Sequence, residues 1–166
     1  MAIYNKCRIF IKIITTMKSH KLDNKDALKF IFAGKAIVTF LNTKTQNRFT
    51  FKVKGAKDSN LFFVSVLTNP ETYTYIGTCI EGQFKWGKKS PISSDSQSVK
   101  VFEYILKRLV VGNLPDFIEI WHEGHCGKCG KRLTVPASII NGLGPECIKT
   151  LSKKEKRDKF LEMILS

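Results

Sequence analysis

Arg48-Phe49-Thr50-Phe51-Lys52-Val53-Lys54 alternates polar and apolar residues without a break. A period of two is that of a β-strand, whose successive side chains point to opposite faces, so Phe49, Phe51 and Val53 share one face. Working outward, Ala36–Leu41 reads as a second strand, and the polar Asn42–Asn47 segment as the hairpin loop between them. Downstream, Leu61–Leu67 stops at Asn69-Pro70, Tyr73–Ile80 follows, and Glu81-Gly82 turns the chain into Gln83–Trp86. Strands this closely spaced leave no room for crossover helices, which favours an antiparallel meander.

Helices flank this sheet. Asp23 or Asn24 can cap a helix running to Ala33, with Gly34 ending it. From about Ser98 to Val110, the residues Val99, Phe102, Ile105, Leu106 and Leu109 form one apolar stripe, and Glu103 and Lys107 make an i,i+4 pair. That helix is expected to cover one face of the sheet. Gly112 to Pro115 breaks it, and Phe117–Trp121 reads as a strand. Residues 1–21 suit a short strand or a loosely ordered arm, and Lys153–Leu165 a terminal amphipathic helix. The expected class is α+β in three segments. These are a basic arm and helix (1–34), an antiparallel sheet with its helix (35–115), and a small metal-binding module with the terminal helix (116–166).

That last segment carries the chemistry. His122-x3-Cys126-x2-Cys129-x17-Cys147 supplies soft and borderline donors for one tetrahedral Zn2+. The two-residue gap lets a tight turn bring Cys126 and Cys129 onto one ion, and Gly127 and Gly130 permit the backbone angles of such a turn. Cys147 is the only later cysteine. His122 is expected as the fourth ligand, with His125, water or a carboxylate as alternatives. A redox Cys-x-x-Cys would sit at a helix start inside a βαβ frame, which is missing here. Four protein ligands would close the coordination sphere, so one structural Zn2+ per chain is the expectation.

Composition narrows the function. The 166-residue chain carries a net charge of +14. Residues 1–57 hold thirteen Lys or Arg against two acids, while the remainder is nearly balanced. Such asymmetry attracts polyanions. Of five cysteines, three belong to the metal motif and Cys7 and Cys79 have no evident pairing, which suits a reducing cytosol. No apolar run approaches the roughly 20 residues that cross a bilayer. A cytoplasmic protein with no membrane partner is expected. There is no Walker loop, GxSxG, HExxH or spaced carboxylate pair, so no catalytic residues and no small-molecule substrate are assigned.

Two stretches resemble known proteins. Trp121-His-Glu-Gly-His-Cys-Gly-Lys-Cys-Gly-Lys-Arg-Leu-Thr-Val-Pro-Ala-Ser-Ile, with Gly142-Leu-Gly-Pro-Glu-Cys147, resembles a zinc-binding motif of small phage proteins of unknown function. The strands with Gly34–Phe40, Phe63–Thr68, Tyr75–Thr78 and Lys89–Ile92 are similar to the part that precedes it, so the likeness covers about 34–150. It implies His122, Cys126, Cys129 and Cys147 as ligands, the position of His125 being variable in the pattern. Some small phage proteins of this kind are anti-CRISPR inhibitors of Cas9, and the chain resembles them in size and motif. The resemblance implies a host-defence-evading protein that binds Cas9 and blocks nucleic-acid loading in the bacterial host's cytoplasm. The charge offers a second expectation. This is a zinc-containing nucleic-acid-binding protein, with Lys12, Lys18, Lys21, Lys25 and Lys29 on phosphates and Trp86 stacking on bases.

Overall fold

A computed structural model describes residues 20–155. Eleven elements follow in order: β1 (Lys21–Leu22), α1 (Asn24–Ile31), β2 (Lys35–Asn42), β3 (Arg48–Gly55), β4 (Leu61–Asn69), β5 (Thr72–Ile80), β6 (Gln83–Trp86), α2 (Gln97–Val111), β7 (Ile118–His122), α3 (Pro136–Asn141) and α4 (Pro145–Glu155). The seven strands form one antiparallel sheet in the order β1-β7-β2-β3-β4-β5-β6. The meander from β2 to β6 is the expected one. The returning strand β7 adds to its free edge beside β2, and β1 adds to β7. One sheet thus runs across the boundaries drawn from sequence at 34/35 and 115/116.

The period-two pattern sets the faces. Val38, Phe40, Phe51, Val53, Val64, Val66 and Ile120 are all buried on one face. Helix α2 lies on that face, where Phe102 is fully buried among Phe40, Phe51 and Phe84, with ring centroids 4.9 to 6.0 Å away. Ser96 caps α2 by accepting from the Val99 N–H, and Gly112 closes it in the left-handed conformation that a residue without Cβ adopts cheaply. The expected Glu103–Lys107 pair forms at 2.8 Å on its exposed side. Helix α1, capped by Asp23, buries Ala27, Leu28, Phe30 and Ile31 on the same side of the sheet.

Two expectations change in the carboxy-terminal part. The short helix α3 has too few residues to show a period, and the terminal helix starts at Pro145 rather than Lys153. Pro145 has no N–H to leave unsatisfied and suits a first turn. The stretch 156–166 expected to continue that helix, and the arm at 1–19, lie outside the described residues. No helix among the described residues is long and apolar enough to cross a membrane.

Phe102→Ala is expected to cost about 3–5 kcal/mol, because the cavity it leaves is walled by three other rings of the sheet and cannot collapse. Chemical denaturation of the purified chain would measure this. A loss below about 1 kcal/mol would mean that α2 is not the core of this fold.

Candidate metal centre

The metal module begins where β7 leaves the sheet. Residues 124–133 fold back as a small hairpin, with the Leu133 N–H donating to Gly124 O (2.8 Å), the Cys126 N–H to Lys131 O (2.8 Å), and His125 bridged to Arg132. Inside it the Gly130 N–H donates to Cys126 O at 2.9 Å and Gly130 has φ +77°. This is the tight turn that the two-residue gap between Cys126 and Cys129 requires. The chain then passes through α3, turns at Gly142 and returns Cys147 in the first turn of α4.

The three thiols converge. Sγ atoms of Cys126, Cys129 and Cys147 all lie within 4.8 Å of one another. Thiolates about 2.3 Å from a tetrahedral ion stand about 3.8 Å apart, so the cluster can hold a metal with little adjustment. Cys126 is buried, which opposes ionisation. Hydrogen bonds from the backbone N–H groups of Cys129, Gly144 and Lys128 outweigh that penalty, and its pKa falls below the ordinary thiol value. Cys147 moves the other way, to about 12, through burial and then through its two thiol neighbours. Three sulfurs this close cannot all be thiolates unless a cation lies among them.

His122 does not join them. Its ring is buried. Nδ1 accepts from the Gly124 N–H at 2.9 Å, and Nε2 is 2.6 Å from Ile139 O. An Nδ1 acceptor fixes the proton on Nε2, which therefore donates to that carbonyl. Burial, ahead of its other surroundings, holds the His122 pKa below the usual imidazole value, consistent with this neutral form. The ring stacks on His20, with centroids 4.9 Å apart. His122 thus ties β7 to α3, and its ring nitrogens lie outside the thiol group. His125 is exposed on the hairpin and also stands outside the thiol group.

Glycines attach this module to the core through one ring. A Cβ at Gly142 would lie 2.5 Å from Cδ2 of Phe30, and one at Gly127 would lie 2.7 Å from the same atom. The Gly127 N–H donates to Gly142 O at 3.0 Å, and the Lys35 N–H to Gly127 O at 2.6 Å. Gly142 turns the chain at φ +75° and also leaves space for Phe30, whereas Gly127, expected from sequence to permit the turn, has no positive φ and serves the space alone.

The remaining expected site residues separate. Lys12 and Lys18 lie outside the described residues. Lys21 pairs with Glu119 at 2.7 Å, and Lys25 and Lys29 belong to α1. Trp86 is half-buried and donates its indole N–H to Ile92 O at 3.0 Å, packed against the core. Cys79 is a buried core thiol, pushed up to about 12 by burial, and hence unreactive.

A family model described as a family of unknown function (DUF6011) matches residues 121–152. That span is the metal module from Trp121 at the end of β7 to Ser152 in α4, and it leaves out the β2–β6 meander. Searches of curated proteins and of solved structures returned no match.

Cys126→Ala should abolish metal uptake and lower the melting temperature, since metal binding and folding of this module are one free energy. Gly142→Ala should destabilise without removing a ligand, by about 1–3 kcal/mol, from overpacking against Phe30 at a positive φ. Elemental analysis and thermal melts of both variants separate the two effects. Full metal content and an unshifted melt in Cys126→Ala would remove the thiol cluster as a metal site.

Proposed function

We propose that the chain is a non-enzymatic zinc protein that binds single-stranded nucleic acid on the sheet face that no helix among the described residues covers. The zinc assignment follows from the donors. Three thiols suit a soft or borderline ion held tetrahedrally, and Zn2+ is the common one.

The observation that carries the nucleic-acid reading is the composition of the face opposite α1 and α2. Register places Lys35, Lys54, Phe63, Thr78 and Lys85 side by side across five strands. The next row on that face runs Ile37, Lys52, Ser65 and Tyr75. A third brings together Lys21, Trp121, Thr39 and Thr50, with the two threonine hydroxyls 2.7 Å apart. Tyr73 stands opposite Leu67, with the Lys52 ammonium 5.3 Å from its ring centroid. Lys35, Arg48, Lys52, Lys54 and Lys85 are all exposed, and Phe63 is 42% exposed. Glu119 on this face is already neutralised by Lys21.

Cations interleaved with rings on a sheet supply the two contacts that a single strand needs. The cations track phosphates, and the rings stack on bases that have no partner strand. A broad sheet face does not enter a duplex groove, so unpaired nucleic acid is the better fit. The surface differs from the one expected from sequence. It uses Lys52, Lys54 and Trp121 in place of Lys25, Lys29 and Trp86.

The inhibitor reading rests on the likeness to small phage proteins that act on Cas9, and the two readings part in one set of measurements. Fluorescence anisotropy with a labelled single-stranded oligonucleotide should show affinity falling with salt, by a slope of about −0.7 per neutralised phosphate. Lys52→Ala with Lys54→Ala should reduce that slope by about 1.4. Tyr73→Ala should weaken binding by about 1–3 kcal/mol at an unchanged slope. Equal affinity for duplex, untouched by Tyr73→Ala, would sink the single-strand assignment. A complex with nuclease-treated Cas9, formed without any oligonucleotide binding, would transfer the function to protein inhibition.

A further inference from the structure

The thiol cluster supplies three donors where a tetrahedral ion takes four. Among the described residues no other histidine, cysteine, aspartate or glutamate joins the group. His122 has both ring nitrogens committed, to the Gly124 N–H and to Ile139 O. His125 faces a different cavity, with His20, Glu123 and Arg132. Glu146, beside Cys147 in sequence, is engaged by Lys149 at 3.0 Å.

All three cysteines line one pocket of about 330 Å3. Leu133, Val135 and Pro145 contribute apolar wall, and Lys131 and Arg132 contribute cations. This volume holds far more than a water molecule, whose share of the liquid is about 30 Å3. A wall that is apolar with a few charged groups is the usual make-up of a small-ligand site.

We infer that the metal is held by Cys126, Cys129 and Cys147 alone, and that its fourth position takes a small thiol bearing a carboxylate. The inference rests on the reading of the cluster as a metal site. Sulfur is the donor that matches the three already present, since soft ligands suit the same ion. On binding, the incoming S–H loses its proton to solvent, and the thiolate displaces a water from the metal. A fourth thiolate makes the centre more negative. Lys131 and Arg132 offset that charge and provide the partner for a carboxylate on the same ligand. The pocket wall carries no histidine or aspartate, and its one glutamate is the Lys149-bound Glu146. An exposed, cation-paired carboxylate is only weakly basic and is a poor general base for a metal-bound water, which favours a binding role over hydrolysis.

The full-length chain loaded with Co2+ reports its own coordination in its absorption spectrum. Titration with mercaptoacetate should shift the d–d bands and raise the sulfur-to-metal charge-transfer intensity by about one third, as three thiolates become four. Mercaptoethanol, which has no carboxylate, should bind more weakly, and Lys131→Ala with Arg132→Ala should erase that difference while leaving Co2+ uptake intact. In the thiol-free form, His122→Gln, His125→Gln and Cys7→Ser should leave the Co2+ bands where they are. A spectrum indifferent to millimolar thiol overturns the proposal. So does one altered by any of those three substitutions, since the chain would then supply its own fourth ligand. A chain that takes up no Co2+ at all fails at the metal reading itself, a distinct result that removes this proposal with it.

Discussion

The ring of Phe30 is the contact on which this architecture depends. It is 1% exposed and sits on α1, far in sequence from everything it holds. On one side it belongs to the core beneath the sheet. On the other it fills the space left by Gly127 and Gly142, and it lies 5.5 Å from the His122 ring. A hairpin with two thiols, a six-residue helix and a third thiol at the start of α4 have little apolar surface of their own, and small modules of this kind need a staple. Here the staple has two parts, the thiol cluster that can hold a metal inside the module and Phe30 beneath it. Dense packing means that neither glycine can gain a methyl group without moving the ring.

Strands were legible in this sequence because alternation is a strong signal and burial enforces it. Arg48–Gly55 alternates as Arg48-Phe49-Thr50-Phe51-Lys52-Val53-Lys54 predicts, and slipping it by one residue would turn Phe51 and Val53 to solvent. The order of strands was not legible, because a period tells which face a residue takes and not which strand lies beside it. Nothing in Ile118–His122 says that it pairs with β2 rather than with β6. The thiols were legible from spacing, and the structure brings Cys126, Cys129 and Cys147 together. His122 has a ligand's residue type and a ligand's spacing, yet its two ring nitrogens meet Gly124 and Ile139. Spacing along a chain shows reach, while the partner of a buried polar atom is decided by what the fold brings within hydrogen-bond distance. Trp86 and Trp121 make the same point. Both lie at or next to the end of a strand, and only the face each takes separates Trp86 on the core side from Trp121 on the opposite side.

One-sided cover explains how a sheet can be both core and surface. Among the described residues, helices α1 and α2 leave the opposite face open, which antiparallel sheets tolerate when that face is polar. An open face with exposed apolar side chains invites sheet-to-sheet stacking, and interspersed lysines oppose it by repulsion. The same charges raise the local potential for a polyanion. Charge on this surface therefore has two physical consequences, and neither excludes the other. The edges are guarded as well. β1 is only two residues long, and β6, four residues long, carries Lys85.

Strand β7 joins the two halves of the molecule within two adjacent residues. Trp121 points to the open face, where it lies beside Thr39 and Lys21, and His122 points to the core, where it binds Ile139 of α3. Successive side chains of a strand take opposite faces, so fixing one ring fixes the backbone that aims the other. A metal held by the three thiols would order the hairpin that follows β7, and the hairpin and α3 together hold His122. Loss of the ion would thus release the end of the strand that carries Trp121, as well as the module that binds the ion. Whatever the open face binds, the thiol centre and that face are mechanically one object, coupled through a strand whose register both sides need.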